Sequence, residues 1–132
     1  MCTAKCSGCG AVKAWWCGAA WIFVAGDGTV RDVQEIMTSA GTAQVVLEQP
    51  QRPAFLVALT HGAGGKPETV DVLAVRDVAR ELGAATALVT QPYRVRGGRA
   101  PGSAEKQDAA WAELVGVLRR ETAGDAPLPL VQ

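Results

Sequence analysis

The sequence predicts an α/β protein in which strands alternate with helices. Two short, largely apolar runs, residues 55–59 and 85–90, have the length and composition of strands buried on both faces. Each run precedes a segment with apolar residues at helical spacing, residues 67–82 and 103–120. Because this alternation is typical of right-handed βαβ units, we predict a βαβαβ order with a mostly parallel sheet, completed by an apolar run at residues 127–131.

An antiparallel hairpin is predicted ahead of these units. Residues 33–38 and 44–48 are rich in β-forming residues, and residues 39–42 between them have turn chemistry. Pro67 suits the first turn of the first helix, whose predicted apolar face is Val70, Leu73, Ala74, Val78 and Leu82. Ser103 can cap the second helix, whose predicted face is Ala110, Leu114, Val117 and Leu118. Residues 91–102 between them are predicted to be a loop.

Composition excludes some classes of partner. The 132 residues contain 13 basic and 13 acidic side chains, so no charge excess favours nucleic acid or an anionic membrane. The uncharged stretch at residues 14–26 is too short to span a bilayer, which takes about 20 residues. It loosely resembles a signal peptide, but the cysteines crowded at the start of the chain fit a signal peptide poorly. We therefore expect a cytoplasmic protein and keep secretion as the alternative.

Residues 1–30 differ from the rest of the chain and are predicted to be a leader ahead of a domain at residues 31–132. All four cysteines lie here: Cys2, Cys6, Cys9 and Cys17. Their spacing is compatible with an iron–sulfur cluster or, with the fourth thiolate, zinc. An unstructured leader is the simpler interpretation, so we expect no metal and no cofactor, and keep a metal-binding leader on an unrelated domain as an alternative.

The most functional-looking stretch is the glycine-rich turn after the first buried strand: His61, Gly62, Ala63, Gly64 and Gly65. Glycines allow a backbone to bend and to approach a bound group closely. A phosphate-binding loop would need a glycine where Thr60 stands and a serine or threonine where Pro67 stands, so this alternative fits poorly.

At this turn the chain resembles a known family. Residues 32–132 are similar to the first half of an α/β-hydrolase, in particular a small bacterial branch related to the hydrolase-like domain of an NSL-complex subunit. Members carry HGAGG after the third strand and a QPYRV-type segment after the fourth, here residues 61–65 and 91–95.

The resemblance implies ester or acyl hydrolysis of a small-molecule substrate by a serine in full-length relatives. The turn would supply one oxyanion-hole N–H, with Ala63 as its expected donor, and the serine would follow the strand at residues 127–131 on a G-x-S-x-G turn. The sequence contains no such turn, and His61 is its single histidine. We therefore expect no catalytic residue and no activity in this chain, and expect it to be a truncated product of a longer gene.

Two further hypotheses concern binding. The chain could be a non-catalytic interaction module, or self-associate through an uncovered sheet edge. Arg94, Arg96 and Arg99 could contact an anionic ligand, although loop arginines are more often simply solvated. His61 is expected to shape the turn by hydrogen bonds, and Trp111 is expected to pack in the core.

Overall fold

Within the described residues, eight strands form one mixed sheet that carries helices, an α/β architecture. The structure, a computed structural model, describes residues 3–4, 13–17, 20–24, 28–62, 64, 66, 68–124 and 126–132, with backbone alone before residue 28. In chain order the elements are β1 (Thr3–Ala4), β2 (Lys13–Cys17), β3 (Ala20–Val24), β4 (Val30–Thr38), β5 (Gly41–Gln49), β6 (Leu56–Thr60), α1 (Val70–Glu81), β7 (Ala85–Thr90), α2 (Pro92–Val95), α3 (Ala104–Thr122) and β8 (Leu130–Val131).

The sheet order is β1-β2-β3-β4-β5-β7-β6-β8. The predicted mostly parallel sheet is wrong: β6 pairs in parallel with β7 and with β8, whereas the other neighbours pair antiparallel. A parallel pair needs a long crossover, and α1 and α3 supply the two crossovers. Only two residues separate β2 from β3 and β4 from β5, and so short a connection permits an antiparallel pair but not a parallel one.

The predicted hairpin and buried strands are confirmed. β4 and β5 pair over their full length, ending at the Thr38–Gly41 pair, where Gly41 has φ 116°. That positive φ favours glycine, because a side chain is strained there. The strand predicted at residues 85–90 matches β7, and β6 lies one residue later than predicted.

Three predicted segments have different bounds. α1 begins at Val70 with Thr69 as its N-cap, not near Pro67, which lies outside the described residues. The predicted loop at residues 91–102 contains α2, which starts on Pro92, a residue already set for a first helical turn. The last strand is limited to Leu130–Val131, which pair with Leu56 and Val57 of β6. α3 begins after Ser103, as predicted.

The segment predicted to be a leader adds strands to the same sheet. β1 pairs with β2, β2 with β3, and β3 with β4, so the sheet continues across the expected boundary at residue 30. The residues that looked like a signal peptide, with tryptophan, isoleucine, phenylalanine and valine among them, are of the type that favours strands.

The main core lies between α3 and the sheet. Leu114 and Leu118 of α3 are buried against alternate residues of the strands, including Val45, Leu56 and Val89. Ala110 is also buried and Val117 is partly buried, so the predicted apolar face of this helix is confirmed. Trp111 packs against the same core, as predicted.

The predicted apolar face of α1 is wrong. The buried residue of α1 is Ala79, which packs with Val57 and Ala84 on the sheet face opposite α3. Val70, Val78 and Leu82 are 86%, 57% and 66% exposed. Helical spacing identifies an apolar stripe, but it does not say whether a neighbouring element covers the stripe.

The uncovered stripe borders an apolar groove of about 390 Å³, which we call the α1 groove. It runs between α1 and the sheet edge formed by β8, and its lining is entirely apolar in residue type. The lining residues include Phe55, Val57, Val75, Val78, Leu82 and Val131.

Candidate functional site

The glycine-rich turn follows β6, and the QPYRV segment follows β7, the parallel strand beside it. Because the two strands are parallel, their carboxyl ends meet at one edge of the sheet, where loops build sites in α/β proteins. The Thr60 hydroxyl donates to the Val89 carbonyl at 3.0 Å, and the Gln91 side-chain amide donates to the Thr60 hydroxyl at 3.2 Å. The end of β6 is therefore hydrogen-bonded both to β7 and to the first residue of the QPYRV segment.

His61 is 4% exposed and both of its ring nitrogens have partners. The backbone N–H of Gln91 donates to Nε2 at 3.2 Å, which places the ring proton on Nδ1, and Nδ1 donates to the Gly62 carbonyl at 2.9 Å. A general base needs a ring nitrogen free to accept a proton from a nucleophile. This arrangement supports the predicted structural role of His61 over a role as a base.

α2 holds the other side of the imidazole. The Tyr93 ring, 3% exposed, meets the His61 ring edge-on with centroids 5.8 Å apart. The Gly98 N–H donates to the Tyr93 carbonyl at 2.8 Å, which closes the turn after α2. His61, Gln91 and Tyr93 thus form one packed unit at the base of the glycine-rich turn.

The turn itself is partly described. Ala63 and Gly65, named from the resemblance, lie outside the described residues. A Cβ added at Gly62 or at Gly64 would meet no atom within 4 Å. The space at these two glycines is therefore open to an approaching group.

The three arginines have separate positions. An Arg94 guanidinium nitrogen donates to the Gly98 carbonyl at 3.3 Å, and Arg96 donates to the Ala40 carbonyl in the hairpin turn. Arg99 is exposed. Two of the three predicted anion-binding side chains therefore hold α2 in place, through backbone carbonyls.

Next to the packed unit, a cleft of about 140 Å³ lies between α3 and the carboxyl ends of β6 and β7; we call it the α3 cleft. Its apolar part comes from residues such as Val89, Ala110 and Leu114, and Trp111 adds an aromatic ring. Its polar lining consists of Thr38, Thr60, Gln91, Gln107 and Asp108. No lysine, arginine or histidine is among the described residues that line it.

A carboxyl group with a shifted pKa lies on β4, away from the carboxyl ends of β6 and β7. Burial raises the pKa of Asp32 on β4, and the nearby Glu121 carboxylate raises it further. The amide of Gln34 donates to Glu121 at 2.8 Å. A carboxyl with a raised pKa gives up its proton less readily, but neither acid lines the α3 cleft.

The predicted alternative of a metal site falls on residues that the structure does not place. Cys2, Cys6 and Cys9 lie outside the described residues, and Cys17 is described by its backbone alone. In the described ranges, no group of three histidine, cysteine, aspartate or glutamate side chains is arranged to hold a metal ion. Among the same ranges, no helix has the length and apolarity needed to cross a membrane.

Searches for similar proteins return no match for this chain among family models, curated proteins or solved structures. The α/β class therefore stands on the described sheet and helices, and the family resemblance stands on the two sequence motifs.

Sequence reasoning missed most of the α3 cleft. Gln91 is the first residue of the QPYRV segment, so this motif could have pointed to one part of the cleft. Thr38, Gln107 and Asp108 come from two distant segments, and no motif in the sequence connects them.

Proposed function

We propose that this chain carries the oxyanion-loop half of a serine α/β-hydrolase site for ester or acyl substrates. The observation that carries the proposal is the order of three parallel strands, β7-β6-β8. The glycine-rich turn follows β6, and β8, the strand expected to lead into a nucleophile elbow, lies directly beside it. An oxyanion hole takes one N–H from each of two such loops, so neighbouring carboxyl ends suit it.

Two further observations support the proposed role of the glycine-rich turn as an oxyanion loop. His61 is locked by Gln91, by the Gly62 carbonyl and by the Tyr93 ring, so the first residue of the turn has a defined orientation. Open space at Gly62 and Gly64 would let a substrate carbonyl approach the backbone. The same proposal assigns the QPYRV segment a role in holding the loop.

The first test uses the chain alone. Because the 132 residues contain no G-x-S-x-G turn, we expect no hydrolysis of p-nitrophenyl acetate above buffer and no labelling by a fluorophosphonate probe. Any weak turnover should survive His61→Ala. Turnover that this substitution abolishes would contradict the proposal, because His61 would then be chemically essential.

The second arm of this test supplies the absent groups in trans. The chain is mixed with the carboxyl-terminal half of a relative from the same small branch that carries the elbow serine, the acid and the base. We expect esterase turnover in the mixture, reduced about 100-fold by Ala63→Pro, which removes one donor N–H. Ala63→Gly keeps the N–H and is the matched control. Two halves that co-elute without turnover would refute the assignment.

The α1 groove favours a second candidate, a module that self-associates. Val75, Val78 and Leu82 form an exposed stripe that continues to Val131 on the sheet edge. We expect sedimentation velocity at tens of micromolar to show association of the parent chain, and Val78→Asp to abolish it by placing a charge in the groove. Val70→Asp alters a more exposed valine of α1, outside the groove, and should leave association unchanged. A monomeric parent would contradict this candidate.

A further inference from the structure

The α3 cleft has a lining that selects the chemistry of a ligand. Gln107 donates one of its two amide N–H groups to the Pro101 carbonyl, and Gln91 donates one of its two to the Thr60 hydroxyl. Their side-chain carbonyl oxygens and the Asp108 carboxylate then remain as hydrogen-bond acceptors in the lining. The indole N–H of Trp111 is also spent, on the Gln132 side chain at 2.8 Å.

The two threonine hydroxyls of the lining already donate their hydrogens to backbone carbonyls. Thr60 donates to the Val89 carbonyl, and Thr38 donates to the Gly41 carbonyl at 2.7 Å. The cleft therefore combines acceptor atoms and one negative charge with no positive side chain in its described lining. A positively charged ligand that brings N–H donors complements the Asp108 carboxylate and the carbonyl oxygens, whereas the Asp108 charge repels an anion.

Size and apolar surface narrow the class further. A volume of about 140 Å³ is close to that of an engineered cavity, about 150 Å³, that binds benzene, so a ligand of about five or six heavy atoms fits. Ala110, Leu114 and Val89 can contact a short hydrocarbon chain, and the Trp111 ring attracts a cation.

We infer that the α3 cleft is a binding site for a small primary amine, with its ammonium group at Asp108 and the two glutamine carbonyls and its alkyl part on the apolar side. This site is independent of the proposed hydrolase function, because it uses neither an oxyanion donor nor a nucleophile. Its position at the carboxyl ends of β6 and β7 is where ligands bind in open α/β sheets.

The test titrates the full chain with n-butylammonium chloride, following the indole N–H resonance of Trp111 by NMR, with potassium chloride at equal ionic strength as the blank. We expect saturable binding with a Kd on the order of 1 mM. Butyrate and 1-butanol, which share the alkyl chain, should bind at least about tenfold more weakly, because the first carries the wrong charge and the second none.

Asp108→Asn is expected to weaken n-butylammonium binding about tenfold, since it removes the charge of an exposed side chain without altering the core. Glu105→Gln, an exposed carboxylate one turn earlier on α3, changes the net charge equally and should leave the Kd unchanged. Equal weakening by both variants, equal binding of butyrate, or a shift that stays linear with concentration would overturn the inference.

Discussion

Replacing Leu118 with alanine is expected to lower the free energy of unfolding by about 3 kcal/mol. Leu118 is 0% exposed and lies where α3 meets the sheet, in the cluster that contains Val45, Leu56 and Val89. Alanine removes buried methyl groups and leaves a cavity, because packed neighbours relax only partly. Urea denaturation of the parent and the variant, followed by far-UV circular dichroism, gives the difference.

Leu82→Ala, at the residue that caps the carboxyl end of α1, is the matched control. Leu82 is 66% exposed, so the same substitution should cost less than about 0.5 kcal/mol. Similar losses at the two leucines would mean that α1 is covered as fully as α3, which would contradict the exposed α1 groove.

Gly98→Ala is expected to destabilise the protein by about 2 kcal/mol and to disturb the packed unit around His61. An added Cβ would lie 2.8 Å from the backbone oxygen of Tyr93, closer than real Cβ contacts allow. The clash is with backbone, so it can be relieved only if the turn after α2 opens and Tyr93 moves away from His61. Thermal melting, together with the His61 ring resonances, measures both effects.

The control for that prediction is the same substitution at Gly116. This glycine lies within α3, and the nearest atom to an added Cβ is the far end of Arg120 at 3.5 Å. Gly116→Ala should therefore raise stability by about 1 kcal/mol through helix propensity. If Gly98→Ala also proved neutral or stabilising, the inference that Gly98 lies too close to the Tyr93 backbone for a Cβ would be wrong.

The proposed hydrolase half-site and the inferred amine site both lie at the carboxyl ends of β6 and β7. His61, Gln91 and Tyr93 prepare the start of the glycine-rich turn, and the α3 cleft opens beside them through Thr60 and Gln91. The proposed oxyanion loop and the inferred amine site therefore share one supporting residue, Gln91, but use different ligand chemistry. Experiments on one can fail without deciding the other.

The candidate site could be predicted from the sequence where its residues are close along the chain. The motif at residues 61–65 and the segment at residues 91–95 each stand out by composition, and each follows a run that reads as a buried strand. The hydrogen bond from Gln91 to His61 spans 30 positions, and no local pattern encodes it. The contribution of Asp108 depends on how α3 packs over the ends of β6 and β7.

Local chemistry determined the elements themselves. Apolar runs of strand length specify β6 and β7, turn residues specify the β4–β5 hairpin, and the apolar stripe of α3 specifies its buried face, because these signals act through neighbours within a few positions. Sheet order and pairing direction depend on contacts between distant segments. For that reason only the tertiary structure showed that the sheet is largely antiparallel and that the strands β1, β2 and β3 belong to it.

The same distinction between local pattern and tertiary contact applies to the helices α1 and α3. Both helices carry apolar residues at helical spacing, yet α3 is buried and α1 keeps Val78 and Leu82 exposed, because exposure depends on whether another element packs there.

Glu48 is only 7% exposed and lies 3.4 Å from both Arg31 and Arg80, on β4 and α1. A charge is tolerated at such a buried position when folding brings opposite charges to it, which a strand pattern alone does not reveal.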